Sequence, residues 1–179
     1  KPDVIRNRLM GSMRKRGMRS FDDYARLLDT TPSEVDALFE TLLSGATGFF
    51  RDPAAYIALS DKVLVPLALE ETDRPIRIWI PACATGQEAY SIAIAMAEAL
   101  EDAGSDRQMR VVATDVQPAL LEQASSGLYP GEALAHVPRR LVGRYFRPEG
   151  DQLRIVPDLR RRVVFSVQDV LADPRLQNM

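Results

Sequence analysis

Cysteine and histidine are almost missing from this chain: of its 179 residues, Cys83 and His136 are the only ones of their kind. One cysteine excludes an intrachain disulfide and a cysteine-based metal centre, and one histidine removes most zinc and Ser/His/Asp arrangements. No run approaches the roughly 20 consecutive apolar residues of a membrane span, and no basic head with an apolar stretch opens the chain. The expectation is a cytoplasmic protein, not membrane-inserted and without a metal. Charge of one sign is lacking too, with 23 Lys and Arg against 25 Asp and Glu, so no net field draws the molecule to nucleic acid. What remains is ordinary globular composition, 46% hydrophobic and 27% charged, enough for a small domain beside a larger one.

The charge is unevenly spread. Lys1, Arg6, Arg8, Arg14, Lys15, Arg16 and Arg19 face a single acidic residue, Asp3, over the first turns of the chain. Such a run is either a solvated helix face or a docking surface for an acidic partner.

Up to about Leu69 the apolar spacing is helical. Ser20 and Asp23 open a helix carrying Phe21, Tyr24, Leu27 and Leu28. Thr31-Pro32-Ser33-Glu34 combines a cap, a proline at the first helical position and a glutamate three residues after the cap; Val35, Leu38, Phe39, Leu42 and Leu43 follow. Asp52-Pro53 starts a further helix with Tyr56, Leu59, Val63 and Leu67 on one face. Residues 1–69 thus read as an N-terminal helical domain with a linker helix.

After the polar break 70–75 the period changes. Ile76 to Ile80 is a β-rich run leading through a turn into a helical pattern; Arg110 to Thr114 is a second strand ending at Asp115, with a helix from Pro118 to Ser126 stopped by Gly127. Two βα units in succession imply a parallel sheet, and Arg162 to Val167 repeats the strand signal. Residues 70–179 read as an α/β domain of this kind, interrupted over about 129–159 by an inserted excursion.

A turn of small residues, Pro81-Ala82-Cys83-Ala84-Thr85-Gly86, lies where α/β sheets hold nucleotide-like ligands, although the G-x-G-x-x-G fingerprint is absent and a mere tight turn fits equally. Asp115, at the end of the second strand, suits a ribose diol or the N-cap of the helix from Pro118. Asp169 suits an adenine amino group or a solvent-facing loop. Glu88 suits a ligand or the helix dipole, and Cys83 reads as packing rather than a nucleophile.

Three motifs then occur in order: Thr47-Gly48-Phe49-Phe50-Arg51-Asp52-Pro53, Ala82-Cys83-Ala84-Thr85-Gly86-Gln87-Glu88-Ala89-Tyr90-Ser91, and Ala113-Thr114-Asp115-Val116 with Gly127-Leu128-Tyr129-Pro130. Over nearly the whole chain they resemble the CheR-type chemotaxis receptor methyltransferases. The stretch around Ile78 to Ala95, with alanine in place of the usual proline at Ala89, is most similar to the form found in methylesterase–methyltransferase fusion proteins. The resemblance implies a helical domain followed by a Rossmann-like class I methyltransferase domain carrying a small antiparallel β subdomain, with S-adenosylmethionine as cofactor and S-adenosylhomocysteine as product. It implies that Thr47 and Arg51 hold the methionine end of the cofactor and that Glu88 also contacts it. Asp115 with Val116 would meet the ribose, Asp169 with Val170 would lie near the adenine, and Ala84 and Gly86 would line the crevice. Two departures stand out: Gly45 replaces a common asparagine, and Gln87, expected on the helix surface, replaces a common glutamate.

The resemblance also implies an activity, O-methylation of glutamate side chains on the cytoplasmic helices of a chemoreceptor-type protein, with Arg14, Lys15, Arg16 and Arg19 facing those helices. The inserted subdomain matches one that clips onto a receptor tail peptide in some members. A glutamate, with a pKa of about 4.3, is already ionised at neutral pH, so the absence of an acid–base array fits this chemistry. The family continues past the position of Met179 into a strand and an Asn-x-x-x-Tyr-like segment. The expectation is therefore an incomplete domain, inactive alone, whose first strand would be central and covered on both faces with its neighbour present, and prone to self-association without it. A non-catalytic cofactor-binding or signalling module of the same fold is the alternative; a nucleotide-dependent oxidoreductase is a more distant one.

Overall fold

The computed structural model describes residues 2–43, 47–170 and 172, and contacts divide the chain into two compact units, 1–47 and 48–179.

The first unit holds α1 (Pro2–Lys15), α2 (Phe21–Thr30) and α3 (Pro32–Leu43). Ser20 caps α2 by accepting the Asp23 amide through its side chain. Glu34, which the sequence pattern assigns to the start of α3, is turned inward instead. It is buried, with Oε1 accepting from the Tyr24 hydroxyl at 2.9 Å and Oε2 from Arg16 Nε at 2.7 Å. The capping pattern marks the helix start correctly, yet its carboxylate joins α3 to α2 and to Arg16, just past the end of α1. Phe21 and Phe39, counted as apolar-face residues, are exposed.

The second unit begins with α4 (Pro53–Leu59), capped by Asp52, which runs through one π turn (Ser60–Leu64) into α5 (Val65–Leu69). The π turn has a local cause. Pro66 has no amide and would crowd the carbonyl four residues back, and widening the turn, with the Val65 amide bonded to the Ser60 carbonyl, relieves this. One extra residue per turn rotates the helix face. Val63, expected inward, is 43% exposed, while Leu64 and Ala68, at 3% and 2%, enter the core with α6. Residues 48–69 accordingly fall in the second compact unit.

Strand β1 (Ile76–Pro81) leads into α6 (Gln87–Asp102), β2 (Met109–Asp115) and α7 (Pro118–Ser126), which Gly127 ends in a left-handed conformation (φ 64°). The excursion contributes β3 (Leu128–Pro130), α8 (Arg139–Tyr145), β4 (Phe146–Glu149) and β5 (Gln152–Ile155), forming an antiparallel sheet of order β3-β5-β4. After α9 (Pro157–Arg160), β6 (Val163–Val167) returns to a parallel sheet of order β1-β2-β6. Ile76, Ile80, Val111, Ala113 and Val163 are buried with the α6 residues Ala93 and Ile94, whereas Trp79 and Val112, on the alternate positions, are exposed. Among the described residues β1 is therefore an edge strand paired only with β2.

A carboxylate on α6 ties the excursion down: Glu98 accepts from the Tyr145 hydroxyl at 2.8 Å and pairs with Arg140 and Arg144. No helix among the described residues is long and apolar enough to cross a membrane.

Candidate cofactor site

The turn after β1 passes through two left-handed alanines, Ala82 (φ 53°) and Ala84 (φ 46°), before Gly86 (φ 86°) opens α6. Non-glycine residues pay about 1–3 kcal/mol for such a conformation and keep it only where the surroundings enforce it. Here the Cys83 amide donates to the Thr114 carbonyl (3.0 Å), the Ala84 amide to Asp115 Oδ2 (2.8 Å) and the Gly86 amide to the Cys83 carbonyl (2.9 Å), while the Tyr129 hydroxyl donates to the Thr85 carbonyl (2.7 Å).

Asp115 ties the ends of the sheet together. Its Oδ1 accepts the Gln117 amide at 3.1 Å, and its carbonyl accepts the Gln168 amide at 2.9 Å just past β6. Gln117, not Asp115, is the N-cap of α7, so the carboxylate acts from two residues ahead of the cap. A carboxylate offers about four acceptor positions, and the two amides occupy one on each oxygen. The side chain thus keeps acceptor capacity on both oxygens at the carboxyl end of β2.

Gly86 serves the rear of the turn. A Cβ there would lie 2.8 Å from Ala124 Cβ and 3.1 Å from both Phe165 and the Tyr129 hydroxyl, so glycine is needed for packing onto the sheet. Gln87 corrects an expectation: rather than lying on the helix surface it is 7% exposed, and its Oε1 accepts from the Thr85 hydroxyl at 2.6 Å. Glu88, next along, is exposed in the first turn of α6, where a negative charge complements the helix dipole.

Asp169 and Val170 are exposed and follow Gln168, so the hydrogen bond from Gln168 to Asp115 brings them beside Asp115 and the exposed Val116. Ala84, Gly86, Glu88, Asp115, Val116, Asp169 and Val170 therefore gather at one end of the sheet, beyond the carboxyl ends of β1, β2 and β6. Arg51, also exposed, is linked to that end indirectly. The Phe50 amide donates to Ser91 Oγ on α6 at 3.0 Å, and Ser91 itself donates to the Gln87 carbonyl at 2.7 Å. Thr47 belongs to the first unit, and Gly45 lies outside the described residues.

Tyr129 and Ser91 brace the turn and the start of α6, a role that the sequence pattern does not single out. Their bonds reach 44 and 41 residues along the chain, and the only local signal is their presence within the motifs quoted above. Cys83 is buried, and burial, reinforced by the charges of Asp115 and Glu88, pushes its thiol up to about 12, so it stays protonated at neutral pH. A cavity of about 660 Å³ lined by Leu100, Gly104, Arg107, Arg144 and Arg162 lies at the opposite, amino-terminal end of β2 and β6. Of Arg14, Lys15, Arg16 and Arg19, all four are exposed, but Arg16 is engaged with Glu34.

A parallel strand-turn-helix sheet with a carboxylate closing the turn at the end of its second strand defines a Rossmann-like domain of the nucleotide-cofactor class. Residues 45–179 match the family described as CheR methyltransferase, SAM binding domain, and residues 1–43 match the CheR methyltransferase all-alpha domain. The chain belongs to the CheR methyltransferase family, and S-adenosylmethionine is the cofactor of that domain. It is 35% identical over 176 residues to chemotaxis protein methyltransferase 2 of Pseudomonas aeruginosa, covering 96% of this chain and 61% of that protein. It is 30% identical over 178 residues to the chemotaxis protein methyltransferase of Escherichia coli, covering 96% and 59%. A 104.1 kDa uncharacterized protein of Rhodobacter capsulatus is 33% identical over 180 residues, covering all of this chain and 19% of that protein. The chain thus spans about three fifths of the first two relatives and about a fifth of the third.

Proposed function

We propose that this chain supplies the cofactor-binding and helical parts of a cytoplasmic enzyme that forms methyl esters on glutamate side chains of a chemoreceptor-type protein. The observation that carries the reading is the Asp115 carboxylate, fixed by the amides of Ala84 and Gln117 and retaining acceptor capacity on both oxygens. That chemistry fits the two hydroxyls of a ribose, and the small-residue turn beside it leaves a ligand access to backbone. S-adenosylmethionine supplies a methyl group on a sulfonium.

The chain's own residues bind and orient. Asp115 and Val116 meet the ribose, Asp169 and Val170 the adenine, and Ala84 and Gly86 shape the crevice floor. Arg51 and Glu88 attend the methionine end. No residue needs to take a proton, because the accepting glutamate is ionised at neutral pH. Rate then comes from alignment and from removing water around that carboxylate. Arg14, Lys15 and Arg19 steer the acidic receptor helices toward the protein.

The test is transfer of labelled methyl groups from S-adenosylmethionine to receptor-containing membranes by the intact protein. Label released as methanol by mild base marks a carboxyl ester; base-stable label would overturn the glutamate reading.

A further inference from the structure

We propose that Tyr129 is the positioning residue of the cofactor turn and that it joins the inserted antiparallel sheet to that turn; the proposal rests on the cofactor reading above. Tyr129 is the middle residue of β3, opposite Leu153 of β5, and is completely buried. Its ring meets Phe49 edge-on at 4.9 Å and Tyr90 at 6.2 Å between centroids, which leaves it no alternative direction. From there its hydroxyl reaches the Thr85 carbonyl at 2.7 Å.

That carbonyl belongs to the peptide between Thr85 and Gly86, the most easily rotated plane in the turn, because Gly86 is free of a Cβ and lies at φ 86°. Rotating the plane would move the Gly86 amide off the Cys83 carbonyl and release the turn that presents Ala84 to Asp115. The Cys83, Ala84 and Gly86 amides are held by the turn's own backbone or by β2, and the Thr85 hydroxyl by Gln87 of α6. The hydroxyl of Tyr129 comes from the inserted segment and approaches from behind, touching the turn and not the crevice. Burial raises its phenol well above the ordinary value, so the donor stays protonated at working pH. Displacing β3 therefore displaces the Thr85 carbonyl, and ordering the turn orders β3.

Tyr90 provides an internal control. It is equally buried, but its hydroxyl donates to the Ala124 carbonyl of α7 at 3.0 Å and not to a peptide of the turn. Calorimetric titration of the intact protein with S-adenosylhomocysteine would compare wild type, Tyr129→Phe and Tyr90→Phe. We expect Tyr129→Phe to raise Kd roughly three- to tenfold, the range for one lost net hydrogen bond, and Tyr90→Phe to leave it within about twofold, although both lower the melting temperature. Equal Kd changes in the two variants, or none in Tyr129→Phe, would overturn the positioning role. Wild type that binds no S-adenosylhomocysteine would overturn the cofactor reading itself. Independently of any variant, saturating ligand should slow amide exchange at Tyr129 and Leu153 as well as at residues 82–86, since coupling between two sites is reciprocal. Slowing confined to the turn would overturn the link to the inserted sheet.

Discussion

The Asp115 carboxylate accepts the Ala84 amide at 2.8 Å, joining the end of the second parallel strand to the turn after the first, 31 residues away. One side chain therefore builds the turn and, in the proposed function, also meets the ribose. Asp115→Ala should weaken S-adenosylhomocysteine binding by about 1–3 kcal/mol, the scale of hydrogen bonds to a charged group, and should also lower the melting temperature because two amides lose their acceptor. Calorimetry with parallel thermal melts checks both. Unchanged affinity beside a lowered melting temperature would leave Asp115 a structural residue only.

Arg51 follows Phe50, whose left-handed backbone (φ 48°) and bond to Ser91 fix where the arginine leaves the chain. A carboxylate held by a guanidinium fork is poorly served by a single ammonium. Arg51→Lys should reduce cofactor affinity roughly tenfold or more, the range of a lost charged hydrogen bond. Full affinity in the lysine variant would reassign Arg51 to a role within the fold.

Strand positions, the helix stop at Gly127 and the Ser20 cap were legible because each depends on a few neighbouring residues. The clustering of Ala84, Asp115 and Asp169 was legible too, since strand ends in a parallel sheet share one edge. What escaped depends on distant contacts. The π turn moved Val63 outward and Leu64 inward, which the apolar spacing around Tyr56 and Leu59 does not foreshadow. Gln87 is buried because Thr85 offers it a donor, and Glu34 turns inward because Tyr24 and Arg16 do. A polar residue's direction is set by partners that the period does not reveal.

The basic run at the end of α1 and just beyond it is not uniform in role. Arg14 donates to its own helix at the Met10 carbonyl, and Lys15 and Arg19 are exposed, whereas Arg16 is paired with the buried Glu34. Reversing Arg14 and Arg19 to glutamate should slow receptor methylation at low salt several-fold, with the deficit shrinking as ionic strength rises and cofactor affinity unchanged. Arg16→Glu should instead lower the melting temperature of the helical unit, because it sets two carboxylates against each other. A salt-insensitive deficit in the double reversal would remove the steering role.

The same pair sets a pH limit. The hydrogen bond from Arg16, aided by that from Tyr24, holds the Glu34 carboxyl below its ordinary value against the opposing effect of burial. A carboxyl whose folded value is depressed stabilises the fold above its unfolded pKa, about 4.3, and loses that contribution as pH falls through the folded value. The wild-type melting temperature should therefore drop on acidification below that point more steeply than that of Glu34→Gln, which starts lower. Parallel acid titrations of the two would discard the assignment.

Gly86 and Gly127 are both left-handed, yet they should tolerate alanine very differently. At Gly127 the added methyl meets Arg160 Cδ at 2.9 Å, the stem of a long side chain that can move aside, so the cost is mainly that of the backbone conformation. At Gly86 the methyl meets Ala124 Cβ at 2.8 Å, an atom fixed to the backbone of α7, with Phe165 and the Tyr129 hydroxyl closing the other sides. Neither α7 nor the sheet yields without moving the other, so overpacking adds to backbone strain. Gly86→Ala should destabilise the second unit by about 2–5 kcal/mol, combining the two penalties, and Gly127→Ala by about 1 kcal/mol. Ala124→Gly removes the closest obstacle and, although mildly destabilising in a helix by itself, should recover part of the Gly86→Ala loss when the two are combined. Denaturation midpoints of the two single variants and the double variant measure this coupling, and strictly additive losses would show that the turn does not press on α7 there.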